Sequence, residues 1–166
     1  MSRPNILITG TPGTGKSTTA ESVALNTGLR HVELSQLVKT DQLYSEFDEE
    51  YNSYVIDEDK VCDTLEPIMQ QKGVVVDYHG SDFFPERWFD LVVVLRADNT
   101  VLYDRLKARG YHDKKITENV ECEIMQVLLD EAKDSYREDI IWVLQSDNTE
   151  QLLENVQKIE DYINNY

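Results

Sequence analysis

A three-layer α/β/α fold, with helices on both faces of a five-stranded parallel sheet, is what this sequence predicts, and three observations predict it. The runs Val74-Val75-Val76 and Leu91-Val92-Val93-Val94-Leu95 are nearly unbroken and β-branched, as strands buried on both faces must be. Strand-like and helix-like stretches alternate along the chain, which argues for parallel strands joined by crossover helices. The segment Gly10-Thr11-Pro12-Gly13-Thr14-Gly15-Lys16-Ser17 matches G-x-x-x-x-G-K-[ST] between a strand-like and a helix-like run. That is the setting in which the motif forms a phosphate cradle, so the fold expected is that of a P-loop NTPase.

The strands expected in order are Asn5–Thr9, Arg30–Glu33, Val74–Tyr78, Leu91–Leu95 and Ile140–Leu144. The first helix runs from the glycine-rich loop to Thr27, with Gly28 placed to cap its end. A second follows Asp57 with Val61, Leu65, Ile68 and Met69 on one face, and a third spans about Asp98 to Arg109. Thr117 to Arg137 reads as one long amphipathic helix through Val120, Ile124, Val127 and Leu128. The last begins near Asp147 and carries Leu152, Leu153, Val156, Ile159 and Ile163. Two stretches break the alternation: 33–56, longer than an ordinary connection, and the short basic segment 110–116. Insertions at the carboxyl edge of such a sheet are where second substrates and lids belong.

In the loop, glycines let successive N–H groups turn inward, and the next helix adds its positive dipole end. Gly13, Thr14, Gly15, Lys16, Ser17 and Thr18 are therefore expected to hold the phosphates of a nucleoside triphosphate. Lys16 supplies a cation for the β- and γ-phosphates and Ser17 a hydroxyl for Mg²⁺. The carboxylate that completes the metal site is read at Asp77, where a buried apolar run ends abruptly in an acid. His79 lies two residues on, so strand alternation aims it the same way. It has three open readings: orienting an attacking water, holding the metal's water shell, or an ordinary satisfied polar group. Arg105 and Arg109, four apart, share a helical face beside 110–116 and suit the spreading charge of a triphosphate. His31 and His112 have no such neighbours and read as structural.

Composition narrows the classes. The 166 residues suit one domain, 1–166. The net charge of −16, from 32 acidic and 16 basic side chains, disfavours direct nucleic-acid binding and anionic membranes, and complements a basic protein. Apolar runs stay far below the ~20 residues of a membrane span, and the chain enters its first strand at once, so neither an anchor nor a signal peptide is expected. Cys62 and Cys122 lack ligand-like spacing and read as small buried residues in a reducing compartment. The acidic stretch Glu46, Asp48, Glu49, Glu50, Asp57, Glu58 and Asp59 is interleaved with Phe47, Tyr51 and Tyr54. It is either a solvated loop or a docking surface for a cationic partner. Phe83, Phe84, Trp88 and Phe89 read first as packing, with base stacking or a partner contact as the alternative.

With these parts in place the chain resembles the adenylate kinases, and specifically the isoenzyme 6 family. The resemblance covers essentially the whole length. It is carried by Asn5 through Ser17, Gln42-Leu43-Tyr44, Asp48-Glu49-Glu50-Tyr51, Asp57-Glu58-Asp59 and Val76-Asp77-Tyr78-His79-Gly80. It continues through Asp82-Phe83-Phe84-Pro85-Glu86-Arg87-Trp88-Phe89, Leu102-Tyr103, Arg105-Leu106 and Arg109-Gly110-Tyr111. The resemblance implies an NMP kinase-like architecture with an NMP-binding segment at about 33–56 and a short lid at about 108–118. It implies phosphoryl transfer from ATP to AMP, with an ATPase activity that uses Asp77 and His79. A monomer is expected. It also implies residence in nucleus and cytoplasm, and a part in small ribosomal subunit maturation through a basic ribosomal protein.

The chain departs from ordinary adenylate kinases in its arginines. Lys39 stands where an NMP-binding arginine would, as a point charge instead of a bidentate fork, and no arginine follows the lid until Arg137. Fewer cations around two polyphosphates leave the transition state less neutralised and water less excluded. A slow kinase that leaks to hydrolysis is expected; the competing reading is an ATPase assembly factor whose kinase activity is vestigial.

Overall fold

The computed structural model describes residues 3–50 and 53–166. Its main sheet contains β1 (Ile6–Thr9), β2 (Arg30–Glu33), β5 (Val74–Asp77), β6 (Leu91–Arg96) and β7 (Ile141–Gln145), in the order β2-β5-β1-β6-β7. Every pairing within it is parallel, as the unbroken apolar runs require. β1 is central, and the chain moves to one side of it for β2 and β5 and to the other for β6 and β7. Ligands of open α/β sheets bind at such a reversal, outside the carboxyl ends of the strands.

Strand alternation divides the core into two layers. Ile6, Ile8, Val75, Leu91, Val93 and Leu95 pack with Ala20 and Val23 of α1 (Lys16–Thr27) and with Val156, Ile159 and Ile163 of α7 (Thr149–Asn164). Leu7, Val74, Val76, Val92 and Val94 pack with Val61, Leu65 and Met69 of α3 (Glu58–Gln70) and with Leu129 and Ala132 of α6 (Val127–Ser135). Phe84, Trp88 and Phe89 are buried in the second layer with Phe83 against it, which is the packing reading of that aromatic run. Gly28 closes α1 in a left-handed conformation, its N–H donating to Ala24 O at 2.8 Å. α4 spans Asn99–Ala108 behind its Asp98 cap.

The single helix expected over 117–137 is two. α5 (Asp113–Ile124) begins inside the segment read as a lid, so only 109–112 is irregular there. It ends where Gln126 turns left-handed at φ 59 and donates its N–H to Glu123 O at 3.1 Å. The break resets the helical register, and Ile124 (53 % exposed) and Val127 (37 %) lie outside the core instead of on a continuous apolar face. Leu153 is likewise exposed on α7, while Cys62 and Cys122 are half-buried free thiols, raised by that burial.

The long 33–56 insertion has its own structure. It holds α2 (Leu34–Thr40) and an antiparallel hairpin of β3 (Tyr44–Asp48) and β4 (Ser53–Ile56). Tyr54 packs against Tyr44 and Phe47, with ring centroids 4.4 and 5.1 Å away, and Phe47 stays 44 % exposed. Tyr51 lies outside the described residues. Among those residues no helix is long and apolar enough to cross a membrane.

Candidate active site at the glycine-rich loop

The loop after β1 is closely fitted to the sheet edge. A Cβ on Gly10 would stand 2.7 Å from Leu95 O at the end of β6, so only glycine lets the backbone pass there. Beyond it the Thr11 carbonyl accepts from Thr14 N at 3.2 Å and from Thr14 Oγ1 at 2.8 Å, which closes the turn. Gly15 enters α1 at φ 93, and the unpaired N–H groups of that first turn are the anion-binding feature the motif provides.

β5 runs beside β1 with Ile8 opposite Asp77, which brings the strand-ending acid next to the loop. Asp77 is buried, and Ser17 Oγ donates to its Oδ1 at 3.0 Å. The second oxygen bonds His31 Nε2 of β2, which pairs with β5 on its other side. His31 is thus a partner of the site carboxylate and not the structural residue expected. Its imidazole is raised above the usual value by that hydrogen bond, against the opposing effect of partial burial.

Lys16 rests with Nζ 3.3 Å from Thr11 O. Burial lowers its ammonium to about 8 and the Arg109 cation acts in the same sense, while Asp77 and Glu123 oppose them. His79 is lowered by burial first and then by the Lys16 and Lys115 cations. The ring is therefore neutral near pH 7. Arg105 donates from Nη1 to Gly13 O at 3.2 Å, and burial lowers its pKa. Thr14 is buried in the loop and Thr18 is exposed on the first turn of α1. Lys39 stands apart, exposed in the last turn of α2, and among the described residues no hydrogen bond or ion pair ties it to this group.

Sequence reasoning missed Glu123 and Arg96 altogether. Glu123 sits on α5 beside Glu121 in a helix rich in acids, and nothing in that pattern marks it as the buried one. The 110–116 segment also contacts the hairpin: Lys114 Nζ pairs with Glu50, and His112 Nε2 lies 3.2 Å from Glu50 O. A groove of about 590 Å³ opens between β7 and α7. Trp142, Leu144, Tyr162 and Tyr166 line it, and it carries none of the phosphate-binding groups assembled at the loop.

Comparison with known proteins gives the family and the fold. The family model described as "AAA domain" matches residues 6–126. The adenylate kinase isoenzyme 6 homolog of Caenorhabditis elegans is 55 % identical over 159 residues, which cover 95 % of this chain and 87 % of that protein. The Dictyostelium discoideum homolog is 50 % identical over 99 % of this chain and 94 % of its own. The chain belongs to the adenylate kinase isoenzyme 6 family. Its fold is shared with shikimate kinase from Bacteroides thetaiotaomicron, with TM-score 0.67 and 17 % identity over 98 % of this chain and 99 % of that one. Shikimate kinase from Acinetobacter baumannii gives TM-score 0.69 at 12 % identity, over 98 % of this chain and 94 % of that one. At such identities the likeness is one of fold, whereas the isoenzyme 6 relatives carry the activity: this is a P-loop nucleotide kinase.

Proposed function

We propose that the protein transfers the γ-phosphoryl group of ATP to AMP, giving two ADP, and also hydrolyses ATP, in the course of small ribosomal subunit maturation. The observation that carries the proposal is the Ser17 hydroxyl within 3.0 Å of the Asp77 carboxylate at the foot of the glycine cradle. Two hard oxygen donors at a phosphate site suit Mg²⁺, which takes few protein ligands and keeps several waters. Ser17 would hold the ion, with Asp77 bound directly or through water, and the ion would neutralise charge on the β- and γ-phosphates. Lys16 follows the transferred group, while Arg105 and Arg109 stabilise the spreading charge. Lys39, on the segment between β2 and α3, is the candidate for the AMP phosphate. His79, neutral and close to Asp77 in the chain, would orient water for hydrolysis.

One observation favours a hydrolysis-led reading, an ATPase assembly factor that holds a basic small-subunit ribosomal protein. Lys39 is the lone cation of 33–56, and no arginine lies between Arg109 and Arg137. Chromatography of products from Mg-ATP, with and without AMP, separates the two. Two ADP per ATP, strictly AMP-dependent, makes transfer primary; ADP plus phosphate without AMP makes hydrolysis primary. Lys16→Ala is the blank, with turnover lowered by about 10²–10³-fold or more. Undiminished turnover in it would overturn the assignment of the loop. Work in nucleus and cytoplasm, as a monomer, belongs to the same proposal.

A further inference from the structure

Glu123 is a carboxylate with only 2 % of its side chain exposed, and neither reading above uses it. Acids are almost never buried so fully unless every oxygen is satisfied. Here both are. Oε1 accepts from Thr11 Oγ1 at 2.8 Å. Oε2 accepts from Arg96 Nε and from Ala97 N, each at 2.8 Å. Arg96 Nη2 also donates to the main-chain carbonyl of Glu123 at 2.9 Å, which places a cation at the end of α5. One carboxylate therefore joins three parts of the site: the phosphate loop, the carboxyl end of β6, and the helix that carries the lid.

Its two oxygens divide the work. Oε2 belongs to the scaffold, through β6. Oε1 is given to Thr11 alone, and Thr11 is the residue whose carbonyl fixes Thr14 and receives Lys16 Nζ at 3.3 Å. A hydroxyl held from the far side sets the orientation of the Thr11 peptide, and with it the point from which Lys16 reaches the nucleotide.

We propose that Glu123 is a positioning residue for phosphoryl transfer: through Thr11 it fixes Lys16 relative to α5, so that the phosphate cradle and the base of the lid helix act as one body. The inference rests on Lys16 being the phosphate cation. Misplacing that cation by a fraction of an ångström weakens the transition state more than the bound nucleotide. A wholly structural ion pair would instead lower stability and leave the turnover of the folded enzyme intact.

The test uses the full chain and steady-state kinetics with Mg-ATP and AMP, or with Mg-ATP alone if hydrolysis proves primary. Turnover is expressed per folded molecule after thermal unfolding of each variant. Thr11→Val removes only the contact to Oε1 and leaves the Arg96–Glu123 fork in place. It is expected to lower kcat by about 10- to 100-fold, with KM for ATP changed by less than about threefold. Thr11→Ser, which returns the hydroxyl, is expected to recover kcat to within about threefold of the parent. Glu123→Gln keeps the volume and should lower kcat as Thr11→Val does, and the double variant should lose little more than the worse single. Should Glu123→Gln not fold, the Thr11 pair decides alone. Parental kcat in folded Thr11→Val, or failure of Thr11→Ser to recover what valine loses, would overturn the proposal. Lys16→Ala is run beside them: if it too keeps parental turnover, the reading of Lys16 fails; if it is inactive, only the role of Glu123 does.

Discussion

At Asp77 both carboxylate oxygens are engaged by protein groups, Oδ1 by Ser17 and Oδ2 by His31, so the acid is aimed before any nucleotide arrives. In the proposed function a preset carboxylate would need no reorganisation on meeting a phosphate-bound ion, which is how such sites gain rate. Asp77→Asn keeps the shape and removes the charge, and is expected to lower turnover by about 10²–10³-fold while the fold persists; near-parental turnover in Mg-ATP would remove Asp77 from the site. His79→Ala is expected to lower phosphate release by about 10²-fold and AMP phosphorylation much less. Equal losses in a side-by-side product assay would refute its water-orienting role. That Asp77 would be buried beside the loop was legible because an acid ending a buried run is poorly explained by packing. His31 and Glu123 were not legible, because their partners lie 46 and 112 residues away in the chain and only the folded sheet brings them together.

Elements were readable where burial leaves one solution. The five strands follow from apolar runs that no exposed surface would tolerate, and their limits shift by a residue at most from those expected. The failures occur where tertiary bonds override periodicity. α5 and α6 look continuous in sequence, yet Glu123 and its carbonyl are taken by Thr11, Arg96 and Ala97, and the chain turns through Gln126 at φ 59. A left-handed conformation costs an L-residue about 1–2 kcal/mol, and glycine escapes that cost but loses backbone entropy. Gln126→Gly is therefore expected to raise stability by about 0.5–1 kcal/mol, and Gln126→Val, β-branched, to lower it by about 1–2 kcal/mol. Urea unfolding midpoints check the order; a more stable valine variant would mean that this turn is not strained.

Over the whole molecule, the −16 charge surrounds a site that must nonetheless hold polyphosphate, and the sheet resolves the conflict by gathering Lys16, Arg105 and Arg109 at one edge. The hairpin carries Glu46, Asp48, Glu49 and Glu50, and its Phe47 is exposed among these carboxylates. An apolar ring within an acidic rim fits a basic protein segment better than a nucleic acid. The choice of residues for testing this follows from the fold. Glu50 pairs with Lys114 of α5, so changing it would disturb that helix as well as the surface. Glu46 and Glu49 are exposed and leave that contact alone. Glu46→Lys with Glu49→Lys is expected to weaken binding of a basic small-subunit ribosomal protein by about 3- to 10-fold at low salt, with the difference fading toward 0.5 M, where the Debye length is only a few ångströms. Kinase turnover in the same preparation should stay near the parent value. Binding that is unchanged across the salt series would leave the hairpin a solvated edge of the 33–56 insertion, and its acids a matter of solubility alone.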